Sequence, residues 1–183
     1  MYVKNHFLLA LSLFSCVFFL LNNDVIAQNS RKDKRIIADC QEAKEEFINV
    51  DGLMKNLFEN AYGYVIFPNV GKGGFFIGGA TGNGMVFQKG KIIGSAKLSQ
   101  LSVGFQAGGQ AYREVIFFEG EQELERFKRN NIELSAQASA VAVTAGASGN
   151  AKYENGVMIF TQTKGGLMYE ASIGGQKFKF QEF

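Results

Sequence analysis

Hydrophobic positions change their rhythm twice along the chain. Phe7 to Leu21 is a strongly apolar run, ended by Asn22, Asn23 and Asp24. From Arg31 to about Asn60 the period is helical. Ile36, Ile37, Cys40, Ala43, Phe47 and Ile48 fall at i, i+1, i+4, i+7, i+11 and i+12, one face of a 3.6-residue repeat. Asp51-Gly52 interrupts that face, and Leu53, Met54, Leu57 and Phe58 resume it as a second short helix.

From Ala61 the pattern becomes β with glycine punctuation. Tyr64 to Phe67 reads as a short apolar strand ended by Pro68. Gly74 to Ala80 and Met85 to Gln88 read as the arms of a hairpin turning at Thr81-Gly82-Asn83-Gly84. Lys89-Gly90-Lys91 reads as a further turn, leading into Ile92 to Lys97. Leu101 to Ala111 alternates most clearly, and Glu114 to Phe118 follows as an apolar strand. Glu121 to Asn130 predicts an amphipathic helix with Leu124 and Phe127 inward. Its acids precede its bases, which suits the helix dipole. Leu134 to Ala145 alternates with small side chains, Val157 to Thr163 and Leu167 to Ile173 form a hairpin across Lys164-Gly165-Gly166, and Lys177 to Phe180 alternates last.

These elements predict an α+β fold with roughly nine or ten short strands. The sheet is expected to be mostly antiparallel and strongly curved or barrel-like, with N-terminal helices and one short internal helix. The expected organisation is a signal peptide over 1–27, a basic N-terminus with amphipathic helices over 28–60, and a β-rich domain over 61–183 that packs with 36–60 as one domain. A chain of this size buries roughly 70% of its unfolded surface.

The apolar run changes the picture first. Lys4 before it and Val25-Ile26-Ala27 after it suit an export signal cleaved after Ala27, so the mature protein is expected to be periplasmic or secreted. The rival is a lipoprotein signal ending at Cys16, where Phe14 fits poorly.

Composition then excludes chemistry. The chain has 183 residues with 1 His and 2 Cys, and His6 and Cys16 both lie inside the export segment. The mature chain therefore lacks the residues for Ser-His-Asp or Cys-His catalysis, for His-ligated zinc and for an internal disulfide. No enzyme activity, cofactor or metal is expected. Cys40 lies on the apolar helix stripe and reads as an inert core thiol. A net charge of +2 argues against a nucleic-acid partner. Gly71-Lys72-Gly73-Gly74 is not a P-loop, because Gly73 follows Lys72 where Ser or Thr is needed. Gln106, Gln110 and the repeated Gly-Gly-Gln at 108–110 and 174–176 read as polar strand faces with glycines that relieve packing. Among the carboxylates, Glu114 and Glu170 alone fall within strands.

The basic run Arg31, Lys32, Lys34 and Arg35 is the charge feature that points to a function. It suits contact with an anionic phospholipid or membrane surface, with the adjoining amphipathic helix lying at the interface. Lys72, Lys89 and Lys91 are the alternative lipid-binding cations.

Ala61 to Phe75, reading AYGYVIFPNVGKGGF, resembles the opening of the SYLF domain family. Gly104-Phe105-Gln106-Ala107-Gly108-Gly109-Gln110 resembles that family's Gly-Gly-Gln strand. Thr163-Lys164-Gly165 with Leu167, then Ser172-Ile173 with Gly175, resembles its C-terminal hairpin. The order and spacing run from about residue 36 to 180. The family's Trp-Ser-x-Pro is absent, and Gly94-Ser95-Ala96-Lys97 stands there instead. The resemblance implies a lipid-binding module, here a non-enzymatic domain of the bacterial cell envelope. An envelope protein as partner, or a small apolar ligand carried in a curved sheet, are the other readings.

Overall fold

The structure, a computed structural model, describes residues 31–73, 77–103, 110–129, 140–164 and 175–183. The export segment with Cys16 and Ala27 lies outside the described residues. So do Gly104 to Gly109, Leu134 to Ser139 and the expected strand Leu167 to Ile173. Ile36–Phe183 forms one compact unit and Met1–Arg35 another.

Helix α1 covers residues 31–50 and α2 covers Met54–Asn60. They break where expected, at Asp51-Gly52. Seven strands follow among the described residues: β1 Gly63–Gly73, β2 Ile77–Gln88, β3 Lys91–Val103, β4 Gln110–Phe118, β5 Val141–Ala142, β6 Val157–Thr163 and β7 Gln176–Glu182. Helix α3, Glu121–Lys128, lies between β4 and β5 in the chain. They form one mostly antiparallel sheet in the order β5-β6-β4-β1-β2-β3-β7, and only β5 and β6 run parallel. The fold is α+β, with N-terminal helices and a short internal helix. Among the described residues the sheet is open, with β5 and β7 at its edges.

The open sheet nevertheless curls strongly. Gln176 on β7 donates from Nε2 to Glu114 Oε2 on β4 at 2.9 Å, although β1, β2 and β3 lie between those strands. Phe178 on β7 likewise reaches Phe67 on β1, with ring centroids 5.8 Å apart. Side chains of a flat sheet four strands apart would be separated by roughly 19 Å at about 4.8 Å per strand. Only a concave face brings them into contact.

Two strand assignments from the sequence are corrected by the structure. Pro68 does not end β1; it lies buried within a central strand. Proline has no N–H for a ladder and is tolerated inside sheets at bulges. The registers with β2 and β4 shift between Ile66 and Asn69 and between Phe67 and Val70, so the ladder skips Pro68 on both sides. The extra residue also flips the strand's faces. Val65 and Phe67 join the inner core before the bulge, and Val70 joins it after.

Thr81-Gly82-Asn83-Gly84 is not a turn either; it runs through the middle of β2. These glycines serve close approach to β1. A Cβ on Gly84 would lie 2.2 Å from the Ile66 carbonyl oxygen and 2.8 Å from the Phe67 ring, and one on Gly82 would lie 3.0 Å from Val70 Cγ2. The real turn is at Lys89-Gly90, where φ of +48° and +76° suits a two-residue hairpin loop.

The sheet has a hydrophobic layer on each side. The inner layer joins Val65, Phe67, Val86, Leu98, Ile116 and Phe178 to Leu124 and Phe127 of α3. The outer layer joins Tyr64, Ile66, Met85, Phe87, Val115, Phe117 and Phe160 to Cys40, Ala43 and Phe47 of α1 and Met54 and Phe58 of α2. Phe58 packs edge-on against Tyr64 and Phe117 at 5.2 and 5.0 Å, so α2 is fixed by aromatic contacts of specific geometry.

Replacing Gly84 tests the close approach. Gly84→Ala should destabilise the protein by about 3 kcal/mol, because the methyl must displace strand backbone rather than a side chain. A Cβ at exposed Gly71 meets nothing within 4 Å, so Gly71→Ala should stay within about 0.5 kcal/mol of the parent. Urea denaturation of both variants measures the difference.

Candidate functional site

The lipid-binding candidates occupy three places. Arg31, Lys32, Lys34 and Arg35 are exposed in the first described turns of α1. Lys89 and Lys91 are exposed at the β2–β3 turn. Lys72 lies far along β1, paired with Ala80 and Gln110, while Gly63 at the start of β1 pairs with Gln88. The backbone of Lys72 is therefore about 30 Å from the Lys89 turn at about 3.3 Å per residue. Its side chain lies outside the described part. Lys72, Lys89 and Lys91 do not form one cluster. Lys89 instead holds its Nζ 5.5 Å from the centre of the Tyr62 ring, a cation–π contact at the strand end.

The apolar stripe of α1 is already occupied. Cys40, Ala43 and Phe47 are buried at 0%, 1% and 0% exposure, and Ile36, Ile37 and Ile48 pack against the same core. In this fold the stripe faces the sheet, which corrects the expectation that it lies in a membrane interface. What α1 offers to a surface is its charged start. Cys40 donates from Sγ to the Ile66 carbonyl at 3.4 Å, and burial pushes its thiol up to about 12. It is a packed thiol with no thiolate to act as a nucleophile.

A polar group that the sequence hid lies inside the concave face. Gln176, expected on a polar strand face, is fully buried. Its Nε2 donates to Glu114 Oε2 and, at 3.3 Å, to Tyr112 Oη. Glu114 is also fully buried, and its Oε1 and Gln176 Oε1 have no hydrogen-bond partner among the described residues. Burial raises the Glu114 carboxyl from its ordinary 4.5 to about 7, and the Gln176 hydrogen bond opposes part of that rise. Glu170, the other strand carboxylate expected, lies outside the described residues. Among the described residues, an amide and a phenol are the polar groups gathered at Glu114.

A second buried carboxylate is structural. Asp51 Oδ1 accepts from the Leu53 N–H at 3.1 Å and Oδ2 accepts from the Ser148 N–H at 2.8 Å. Burial opposes its ionisation, but donors at Ser148, Leu53 and Gly146 outweigh that and hold the carboxyl below its ordinary range. The sequence marked Asp51 only as a helix break; it also ties the α1–α2 corner to the loop before β6. Among the described residues no group of three His, Cys, Asp or Glu side chains is placed to hold a metal ion.

The outer face of the sheet is covered for only part of its area. Beyond α1 and α2, Asn69, Thr81, Asn83, Lys97, Ser99, Lys177 and Lys179 are all exposed on β1, β2, β3 and β7. Lys97 and Lys179 are direct cross-strand partners. None of these lysines stands out in the sequence, because each is one charge in a strand and only the register of β3 with β7 aligns them.

Comparison with known proteins points to one family. Residues 99–182 match the Ysc84 family, whose description is Las17-binding protein actin regulator and which is the SYLF family. That stretch includes the sequences Gly104 to Gln110 and Thr163 to Gly175. The chain is also 27% identical over 160 residues to Beta cell expansion factor A of Aeromonas veronii. The alignment covers 85% of this chain and 60% of that protein's length.

Glu114 makes a specific pH prediction. Its folded value lies above its unfolded one, so its protonated form stabilises the fold. That contribution is full below about pH 4.5 and is lost as pH rises through about 7. Glu114→Gln keeps an acceptor for Gln176 and removes the titration. Chemical denaturation between pH 4.5 and 8 should show a decline in the parent that is flattened in Glu114→Gln, with the variant the more stable at pH 8.

Proposed function

We propose, on the premise that residues 99–182 are a Ysc84 (SYLF) domain, that this protein is a non-enzymatic module that binds phospholipid membrane surfaces in the bacterial cell envelope. One observation carries the reading. Arg31, Lys32, Lys34 and Arg35 are exposed together at the head of a helix whose apolar face is committed to the core. Attraction to the membrane is then electrostatic rather than insertional. Each basic residue near an anionic surface contributes about 1 kcal/mol, so four give reversible, salt-sensitive attachment. Among the described residues no helix is long and apolar enough to cross a membrane.

Cys40, with its thiol buried and pushed up to about 12, is part of the core that fixes α1 against the sheet. The apolar run Phe7 to Leu21, followed closely by Ala27, supports export as the route to the envelope in this reading. Lys89 and Lys91, together at the hairpin end, supply a second basic contact, and Lys72 a separate one.

The family description favours a second reading. It names a protein, Las17, as what the family binds, so a protein partner in the envelope is the alternative to a lipid surface.

Cosedimentation with phosphatidylglycerol vesicles at low salt separates the two readings. The parent protein should bind. Reversing charge at Arg31, Lys32, Lys34 and Arg35 together should weaken partitioning at least about a hundredfold, given about 1 kcal/mol per residue. A parent protein that leaves the vesicles in the supernatant overturns the membrane reading.

A further inference from the structure

The bare part of the outer sheet face is ordered into two rows. In the first, Asn69 pairs with Asn83, Asn83 with Lys97 and Lys97 with Lys179. In the second, Gly71 pairs with Thr81, Thr81 with Ser99 and Ser99 with Lys177. All eight positions are exposed. Lys164, at the end of β6, donates from Nζ to Asn69 Oδ1 and brings a fourth ammonium to the border of the first row.

The charge arrangement is costly by itself. Direct cross-strand partners hold their Cβ atoms about 5 Å apart, and like charges there repel. Lys97 and Lys179 are such a pair, and none of the eight positions is acidic. The chain as a whole carries only +2, so three lysines and no acid among these eight positions make the face more basic than the chain's average. A strand edge is commonly protected by lysine, but that role needs lysine only on β7 and not a second one opposite it on β3.

The side chains between the lysines define what the face suits. They are short amides and hydroxyls: Asn69, Asn83, Thr81 and Ser99. None of the eight positions is an aromatic platform for nucleic-acid bases. None is an apolar anchor for a bilayer or one of the aromatic hot spots on which protein interfaces rely. Amides and hydroxyls match sugar hydroxyls, and ammonium groups match carboxylate, sulfate or phosphate substituents.

We propose that this face docks an extended anionic polysaccharide, with Lys97 and Lys179 as its central cation pair. The bound anions neutralise the repulsion that the register builds in. None of its residues belongs to the basic run Arg31 to Arg35, so the proposal goes beyond the membrane reading and does not depend on it.

Dextran sulfate, neutral dextran, poly-L-glutamate and phosphatidylglycerol vesicles distinguish the occupants in titrations with the whole chain. The parent should bind dextran sulfate and ignore neutral dextran. Replacing both lysines, Lys97→Gln with Lys179→Gln, should weaken dextran sulfate binding about tenfold, as expected for two exposed ion pairs, while Lys97→Arg with Lys179→Arg retains it. Charge reversal at Arg31, Lys32, Lys34 and Arg35 should leave dextran sulfate binding unchanged even where it abolishes vesicle binding. Lys97→Gln alone should raise the melting midpoint, since it removes a repulsion. Dextran sulfate binding unchanged in the double glutamine variant overturns the proposal. So does poly-L-glutamate or vesicle binding that depends more strongly on the two lysines than dextran sulfate binding does; the face would then take an acidic peptide or a bilayer.

Discussion

The hydrogen bond from Gln176 to Glu114 closes a distance that the strand order forbids to a flat sheet. β7 and β4 are separated by three strands, yet their side chains meet on the inner face. Everything else in the architecture follows from that curl. The inner face becomes narrow enough to be filled by its own aromatic rings, with Phe127 of α3 5.1 Å from Phe118 and 5.3 Å from Phe178. On the outer face, α1 and α2 pack over the Tyr64, Phe87, Phe117 and Phe160 part of the sheet. Among the described residues, the polar, lysine-bearing surface of β1, β2, β3 and β7 stays exposed.

The curl depends on local devices that act together. Bulges raise local twist and bend a sheet. One sits at Pro68 in the central strand β1, and another shifts β2 against β3 between Val86 and Phe87. Gly84 lets β2 approach β1 beside the Pro68 bulge, where a Cβ would clash with the Ile66 carbonyl. Proline and glycine are poor strand formers in isolation. Here they occupy the two positions where bending leaves either no ladder partner or no room for a side chain. The inner Glu114 is the cost of the arrangement: a carboxyl taken out of water with one partner, held near neutrality by its surroundings.

Local patterns were legible where local physics decides them. The α1 stripe through Cys40, Ala43 and Phe47, the inward Leu124 and Phe127 of α3, and the Lys89-Gly90 turn all stand as their spacing implies. The order of glycine and proline misled where tertiary packing decides. Gly82 and Gly84 read as a turn because glycine is the commonest turn residue, while the reason for them lies on a neighbouring strand. Pro68 read as a strand end because nothing local announces a bulge. The candidate sites divide the same way. The basic run at Arg31 is contiguous and therefore visible. Lys97 and Lys179 lie far apart in the chain, and only the β3–β7 register sets them side by side. Gln176 looked like surface because glutamine usually is.

The closing contact between β7 and β4 is the most direct test of this account. Nuclear Overhauser spectroscopy on the selectively labelled protein, near pH 6, reads the distance between the Gln176 side-chain amide protons and the Tyr112 ring. With Gln176 Nε2 3.3 Å from Tyr112 Oη, a strong cross-peak is expected between them. Its absence, with β7 still paired to β3, would mean that the sheet does not curl onto itself, and the division into a filled inner face and a bare outer one would fall with it.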